Sequence, residues 1–389
     1  MRVRLLYISS FDKRWTHLEW VSQEIDRTKF DLSFLLLSLT GRQPYMEDYL
    51  REQGIPSVTV KCTLTPAGIF RAARAVWRHC RAERVEVVHT HIFFASLVGL
   101  LGAFLARVPV RINTRHHAVP NHGKPAVWLD HLANRLATRT VVTSELLRRV
   151  VVDLEKVPEE KVPLIHLGID VARFHDAPPD LVRALAAKHN PAGASPVVGV
   201  IARHIESKGI QYVIPAFRRL LERHPSAVLI LAYAMGPYRQ AVEELLAPLP
   251  PERYVLIPFE ENVFALYKIF DVCVHVPVGE DQESFGLVYL EALAAGVPSI
   301  FTLSGVAREF LEHRRNAWIV DYRNSDQIHD GLVALLEDPE LRRTLVSEGL
   351  RSVDPAFSHT RMVRSLEDLY LEERRGRLAL PVGEASHAS

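Results

Sequence analysis

The stretch Pro277-Val-Gly-Glu-Asp-Gln-Glu-Ser-Phe-Gly-Leu-Val-Tyr-Leu-Glu-Ala-Leu-Ala-Ala-Gly-Val-Pro-Ser-Ile300 decides the fold. A short apolar strand, residues 271–276, precedes it, and a polar loop with Glu280, Asp281 and Glu283 follows. Residues 285–295 repeat apolar side chains at helical spacing, and Gly296-Val297-Pro298 stops the helix. Residues 299–303 then read as another strand. This is a strand–loop–helix–strand unit of a parallel sheet. The loop lies at the carboxyl end of its strand, where open α/β sheets bind ligands. The amides of Phe285, Gly286 and Leu287 would open the helix and offer a seat for a phosphate.

Two glutamates frame the unit. Glu283 lies in the loop and Glu291 eight residues later on the helix, roughly 12 Å along its axis. That span matches the reach from a sugar ring across a diphosphate to a ribose. The simpler reading makes Glu283 a cap of the helix N-terminus and Glu291 a solvated helix residue. Against it, Leu290, Ala292, Leu293 and Ala294 surround Glu291 with apolar or small neighbours, so a carboxylate there needs a partner.

These residues carry a resemblance. Glu283-Ser-Phe-Gly-Leu-Val-Tyr-Leu-Glu291, with Ala292 and Gly296-Val297-Pro298 behind it, resembles the Glu-x7-Glu signature of glycosyltransferase family 4. Members are retaining nucleotide-sugar transferases of the GT-B fold. The resemblance implies an α/β protein with two Rossmann-like domains whose parallel sheets face across a cleft. It assigns Glu283 to the donor sugar and Glu291 to the ribose hydroxyls. With them, Ser284, Phe285, Gly286 and Leu287 are expected to contact substrate.

Length and composition fit two domains. A chain of 389 residues exceeds one comfortable core and suits two of about 150 to 200 residues. Its 48% hydrophobic content is that of an ordinary globular protein. Cys62, Cys80 and Cys273 have neither paired nor metal-ligand spacing, which points to a reducing compartment. The chain opens directly on an apolar strand, residues 2–9, without a signal-peptide cleavage pattern. The expected location is the cytoplasm, with the inner face of the plasma membrane as a peripheral site.

The net charge of +1 hides an asymmetry. Residues 1–175 hold 25 Lys and Arg against 17 Asp and Glu, whereas the remainder holds 22 against 29. A basic first domain favours an anionic partner such as a membrane surface, a lipid-linked acceptor or an acidic glycan. In residues 66–82, Arg71, Arg74, Arg78 and Arg81 form one stripe flanked by Phe70, Val76 and Trp77. The stripe reads either as the solvated face of a core-packing helix or as contact with an anionic membrane. No nucleic-acid partner is expected.

The first domain alternates strand and helix from residue 2 to about 154, which implies a doubly wound sheet. No Gly-x-Gly-x-x-Gly follows the first strand, which argues against a dinucleotide site there. His89 and His91 share one strand face, and His116 and His117 follow Arg111-Ile-Asn-Thr-Arg115. Their spacing is not that of a structural zinc site, so no metal and no cofactor is expected. The stretch from Ile112 to His116 is similar to the family's strand ending in Thr-x-His, whose His stands beside the donor sugar. On that pattern His116 is the catalytic candidate and His117 the second choice. The alternative is a histidine satisfied by a backbone carbonyl.

Residues 158–174 resemble the family's inter-domain crossing, with Leu167 where Asn is usual and Gly168 and Asp170 kept. Residues 176–195, with Pro178-Pro179 and several small residues, read as a loop-rich boundary. The expected domains are 1–178, joined by a C-terminal helix at 359–376, and 195–358, with a disordered tail at 377–389. In the second domain, Arg203 and Lys208 follow the strand at 197–201 in Ala-Arg-His-Ile-Glu-Ser-Lys-Gly209. They read as loop charge or as cations for a diphosphate. The family's Gly-Arg-x4-Lys-Gly favours the second role, with Ala202 replacing its first Gly. Pro258-Phe259 falls near the expected nucleobase position. Gly305 is kept in the loop that usually carries Gly-Gly, where Val306 takes the second place.

The expectation is a retaining, hexosyltransferase-type enzyme that moves a sugar from a nucleotide-sugar, UDP-sugar first. Its acceptor would be a hydroxyl of a cell-envelope or lipid-linked glycan, as in polysaccharide biosynthesis. His116, Glu283, Arg203 and Lys208 carry catalysis, with no covalent nucleophile. A nucleotide-sugar epimerase or hydrolase of the same fold, and a non-catalytic nucleotide-sugar-binding protein, are the alternatives.

Overall fold

A computed structural model describes residues 2–117 and 124–378. Alternating apolar runs become two six-stranded sheets among these residues, every neighbouring pair parallel. The first contains β1 (Val3–Ser9), β2 (Phe30–Ser38), β3 (Ser57–Lys61), β4 (Val87–His91), β5 (Val110–Arg115) and β6 (Arg139–Val142). The second contains β7 (Val197–Ile201), β8 (Val228–Ala232), β9 (Tyr254–Ile257), β10 (Val272–His275), β11 (Ser299–Phe301) and β12 (Trp318–Ile319). The orders are β3-β2-β1-β4-β5-β6 and β12-β11-β10-β7-β8-β9. Each is a doubly wound sheet with a switch point, between β1 and β4 in one and between β7 and β10 in the other.

The chain divides into two compact units. One runs to Gly168 and resumes at His359; the other is Ile169–Ser358. Residues 169–194, expected as a domain end and linker, therefore group with the second unit. The expected loop at 176–195 contains the helix Pro179–His189. Pro178 and Pro179 sit at its N-cap and first position, where a missing N–H costs no hydrogen bond, so they start the helix.

The first unit's sheet is buried on both faces. Leu5 and Tyr7 face a core that includes Met362, Val363, Leu366 and Tyr370 of the helix His359–Leu378. Leu6 and Ile8 face the helices Pro66–Ala82 and Phe93–Leu105 through Val76, Ala95 and Val98. The C-terminal helix thus includes Arg377 and Leu378, placed in the expected tail; residues from 379 lie outside the described ones. In the second unit β7, β8, β10 and β11 pack on Ile210–Arg223 and Ser325–Glu337 through Phe217, Leu220, Leu332 and Leu335.

Thr65 caps the Pro66–Ala82 helix by accepting from the Gly68 amide at 3.2 Å. Its Ala72, Ala73, Val76 and Cys80 are buried, and its four arginines are exposed. Phe70 stays 69% exposed and Trp77 37%, an unusual amount of aromatic surface beside an arginine stripe. Cys62, Cys80 and Cys273 are free thiols. No helix among the described residues is long and apolar enough to cross a membrane.

Candidate functional site

Both switch points gather polar side chains. In the second unit, β7 ends at Ile201, and the short turn after it, which begins with Arg203, carries Lys208 to the loop after β10. Gly209 makes the approach possible. It adopts φ +76°, and a Cβ there would fall 1.9 Å from the Val276 carbonyl oxygen. Lys208 Nζ and His275 Nε2 both bond Glu283 Oε1, at 2.5 and 2.9 Å. The three side chains are nearly buried, His275 at 1% exposure, Glu283 at 14% and Lys208 at 17%.

Burial alone would raise the Glu283 carboxyl. The hydrogen bond from His275 and the charge of Lys208 outweigh it and hold the group at about 2. Glu283 is therefore ionised at neutral pH, and its stabilisation is lost as pH falls from about 4.5 towards about 2. Burial lowers the His275 imidazole, so it donates to Glu283 as a neutral ring. Its buried Nδ1 has no hydrogen-bond partner among the described residues.

A loop from the next strand locks the carboxylate's backbone. The Glu283 amide donates to Ser304 Oγ at 3.0 Å, and that hydroxyl donates to the Glu280 carbonyl at 3.2 Å. Gly305 adopts φ +58°, and a Cβ there would meet the carbonyls of Phe285 and Glu283 at 2.6 and 2.8 Å. Arg308 pairs with Glu280 on the rim.

Glu283 is not a helix cap. The helix is Leu287–Ala294, its N-cap is Gly286 at φ +97°, and no side chain caps it. Phe285 and Gly286, expected to open the helix, precede it, because the left-handed glycine turns the chain one residue later. Ser284 sits part-buried between Glu283 and the buried Phe285. Arg203 is exposed, and among the described residues its guanidinium makes no hydrogen bond or ion pair, so it is available to an anion.

Glu291 is part-buried rather than solvated. Burial raises its carboxyl to about 7, against the Tyr267 hydroxyl that donates to Oε2 at 2.9 Å. Tyr233 lies near this carboxyl and has φ +58°, and its ring meets Phe259, 63% exposed, edge to face at 5.9 Å. The sign of the Glu291 shift gives a test. A carboxyl with a raised pKa stabilises the fold most at low pH, and that contribution is lost as pH rises from about 4.5 through about 7. Glu291→Gln should therefore raise the melting temperature by about 5 °C near pH 8 and leave it unchanged near pH 5. An equal rise at both pH values would assign the effect to packing.

The first unit's switch point is a histidine cluster. His89 and His91 end β4, His116 follows β5, and His17 comes from the first helix, Thr16–Glu24. Ring centroids of His89 and His91 are 4.2 Å apart, those of His17 and His91 5.2 Å, and those of His91 and His116 5.4 Å. Trp15 lies edge-on to His91 and His116. His91 Nδ1 and His116 Nε2 share a 3.1 Å bond, and His89 bridges Tyr370 Oη at 2.6 Å and Thr114 Oγ1 at 2.7 Å. Burial pushes His17 down to about 4 and the other three well below the ordinary histidine range. The cluster is neutral at pH 7. Both nitrogens of His17 and Nε2 of His91 are buried without a partner among the described residues. Ile92, a β-branched residue, holds φ +72° directly after the cluster, a strained geometry of the sort that collects at functional sites. No metal-holding group of three or more His, Cys, Asp or Glu is found among the described residues.

Among the described residues, His116 thus bonds another imidazole and no backbone carbonyl. His117 is exposed, and its carbonyl accepts from Arg115 Nε at 3.1 Å. Arg115 anchors the end of β5. Its guanidinium bonds Asp130 at 2.5 and 3.1 Å and Glu155 at 2.6 Å, and Asn134 donates to the second Glu155 oxygen at 2.7 Å.

Sequence reasoning missed His275, Tyr267, Tyr233 and His17. Only His275 left a signal, as a polar residue ending an apolar strand just before the acidic loop.

Two families match, one to each part of the chain. Residues 16–173 match Glycosyltransferase Family 4, and residues 182–351 match Glycosyl transferases group 1. The chain is 28% identical to a GDP-mannose-dependent monoacylated alpha-(1-6)-phosphatidylinositol monomannoside mannosyltransferase of Corynebacterium glutamicum, over 86% of this chain and 95% of that one. It is also 28% identical to a D-inositol 3-phosphate glycosyltransferase of Corynebacterium jeikeium, over 79% and 77%. Among solved structures, HepE of Anabaena in complex with UDP superposes with a TM-score of 0.79 at 19% identity, over 96% of this chain and all of that one. With two doubly wound sheets of the GT-B type and both families spanning their sequence, the chain belongs to glycosyltransferase family 4.

Proposed function

We propose that this glycosyltransferase moves a hexosyl group from a nucleoside-diphosphate sugar, UDP-sugar first, to a hydroxyl of a cell-envelope or lipid-linked glycan, with retention of anomeric configuration. The observation that carries the reading is the Lys208–Glu283–His275 cluster at the β7/β10 switch point, with Arg203 exposed in the same turn as Lys208 and without an ion pair among the described residues. Arg203, Lys208 and the amides at the start of the Leu287–Ala294 helix hold the diphosphate and stabilise it as it leaves. Glu283, ionised and held in place by two donors, accepts hydrogen bonds from the sugar hydroxyls. Ser284, Phe285, Gly286 and Leu287 line the same turn. Glu291 receives the ribose hydroxyls, and Tyr233 and Phe259 offer ring faces to the base. His116 is the residue of the first unit that takes part. No side chain forms a covalent adduct with the sugar.

GDP-mannose is the second reading of the donor, favoured by the GDP-mannose dependence of the Corynebacterium glutamicum relative. The protein works in the cytoplasm, and the arginine and aromatic face of Pro66–Ala82 lets it touch an anionic membrane peripherally.

A thermal-shift series with UDP, GDP, ADP and their sugars tests the reading. At about 100 times Kd, one nucleoside diphosphate should raise the melting temperature by about 5–10 °C. Arg203→Ala should abolish that shift. No response to any nucleotide would sink the proposal.

A further inference from the structure

The basic excess of the N-terminal half is concentrated. Residues 53–129 carry ten Lys and Arg against two Asp and Glu, whereas residues 1–52 and 130–175 together carry fifteen of each. Part of that excess meets in a groove of about 610 Å³ beside the amino end of β5. This is the opposite end of the strands from His91 and His116, which lie at carboxyl ends. Arg107, Arg111 and Arg377 line the groove with Phe104 and Leu105, and no carboxylate among the described residues lines it.

The three guanidiniums differ in their restraint. Arg111 is fixed from below: Nε donates to the Leu136 carbonyl at 2.8 Å, one terminal nitrogen to the Val108 carbonyl at 2.6 Å, and the group lies 5.5 Å from the Phe104 ring centroid. Burial and the like charge of Arg377 both work against its proton. Arg377 lies 3.8 Å from Glu373, but that carboxylate is already bonded by Arg139 at 2.6 Å. Arg107 is exposed, and among the described residues its guanidinium has no ion pair. Phe104 and Leu105 are 50% and 57% exposed on the rim. A concave site with three cations and no lining anion among the described residues is electrostatically unsatisfied, and guanidinium forks match the oxygens of a phosphate.

We propose that this groove binds a phosphate-bearing anion, its oxygens held by Arg107, Arg111 and Arg377 and its apolar attachment resting on Phe104 and Leu105. The phosphate comes either from a phospholipid headgroup or from a soluble phosphate ester. The groove shares no residue with the donor site, so it stands or falls without the transferase reading.

The test uses the full chain. Co-sedimentation with phosphatidylcholine vesicles, with and without phosphatidylglycerol, reads the lipid source at low salt; calorimetry with glycerol 3-phosphate and inorganic phosphate reads the soluble one. Arg107→Glu and Arg377→Glu change exposed side chains. Arg218→Glu, an exposed position of the second unit, makes the same charge change elsewhere. Each groove variant should weaken binding about fivefold or more, while Arg218→Glu does not, and added salt should weaken it further. Binding to anionic vesicles without calorimetric heat assigns the headgroup; heat without sedimentation assigns the soluble ester. Absence of both, or binding that the groove variants leave unchanged, overturns the proposal. The nucleotide thermal shift should survive in all three variants.

Discussion

Replacing Glu283 with glutamine should lower kcat about 100-fold or more while leaving donor affinity equal or tighter. The two halves of this result come from one contact. In the free protein Lys208 commits its charge to Glu283 Oε1 at 2.5 Å. The Glu283→Gln side chain would keep the shape but release that cation for the diphosphate, so binding does not suffer. Turnover does, because a neutral amide accepts weakly where an ionised carboxylate orients the sugar. The carboxyl is held near 2, so the loss should be flat between about pH 6 and 8. Lys208→Ala should show the opposite split, with KM for the donor raised more than kcat is lowered. Parallel loss of affinity and turnover in Glu283→Gln would mean that the glutamate is structural.

Arg115→Met should destabilise the first unit by about 3–5 kcal/mol. Arg115, Asp130 and Glu155 are 11%, 8% and 7% exposed, so the two carboxylates are nearly dry and share one cation. Removing it leaves two like charges facing each other, with Asn134 on only one of them. The denaturant midpoint reports the loss. The triple variant Arg115→Met, Asp130→Asn, Glu155→Gln should recover most of it, because breaking a buried pair costs far more than replacing all its members. A loss below about 1 kcal/mol in the single variant would show that the site is wetter than its geometry implies. Because Arg115 adjoins His116, activity should fall with stability and return in the triple variant.

Most elements were legible because each is written in a local period. The strand at 197–201 and the helix at 66–82 fall where an apolar run and a helical repeat put them. The order of the motifs was legible too, since Arg203, Lys208, Glu283 and Glu291 keep family spacing. What a glutamate binds was not. Lys208 reaches Glu283 across 75 residues of sequence because β7 and β10 are neighbours in the sheet and not in the chain. Tyr267 reaches Glu291 from 24 residues upstream although the whole of β10 lies between them in the sequence. The Pro178-Pro179 misreading is of another kind. Proline breaks a helix in its interior and suits its first turn, and only the residues after it decide which applies.

The helix His359–Leu378 sets an order on the making of the protein. It supplies Met362, Val363, Leu366 and Tyr370 to the core under β1, and Tyr370 Oη meets both Tyr7 and His89. A ribosome releases β1 to β6 early, yet this core cannot close until the whole of Ile169–Ser358 has followed. The second unit, continuous in sequence, can finish first. The nascent first unit must wait with an apolar face uncovered, and a chain cut short before His359 would stay in that state. Such fragments are the natural clients of chaperones and proteases, and every nonsense lesion upstream of the last helix should behave as a loss of the first unit whatever its distance from the histidines.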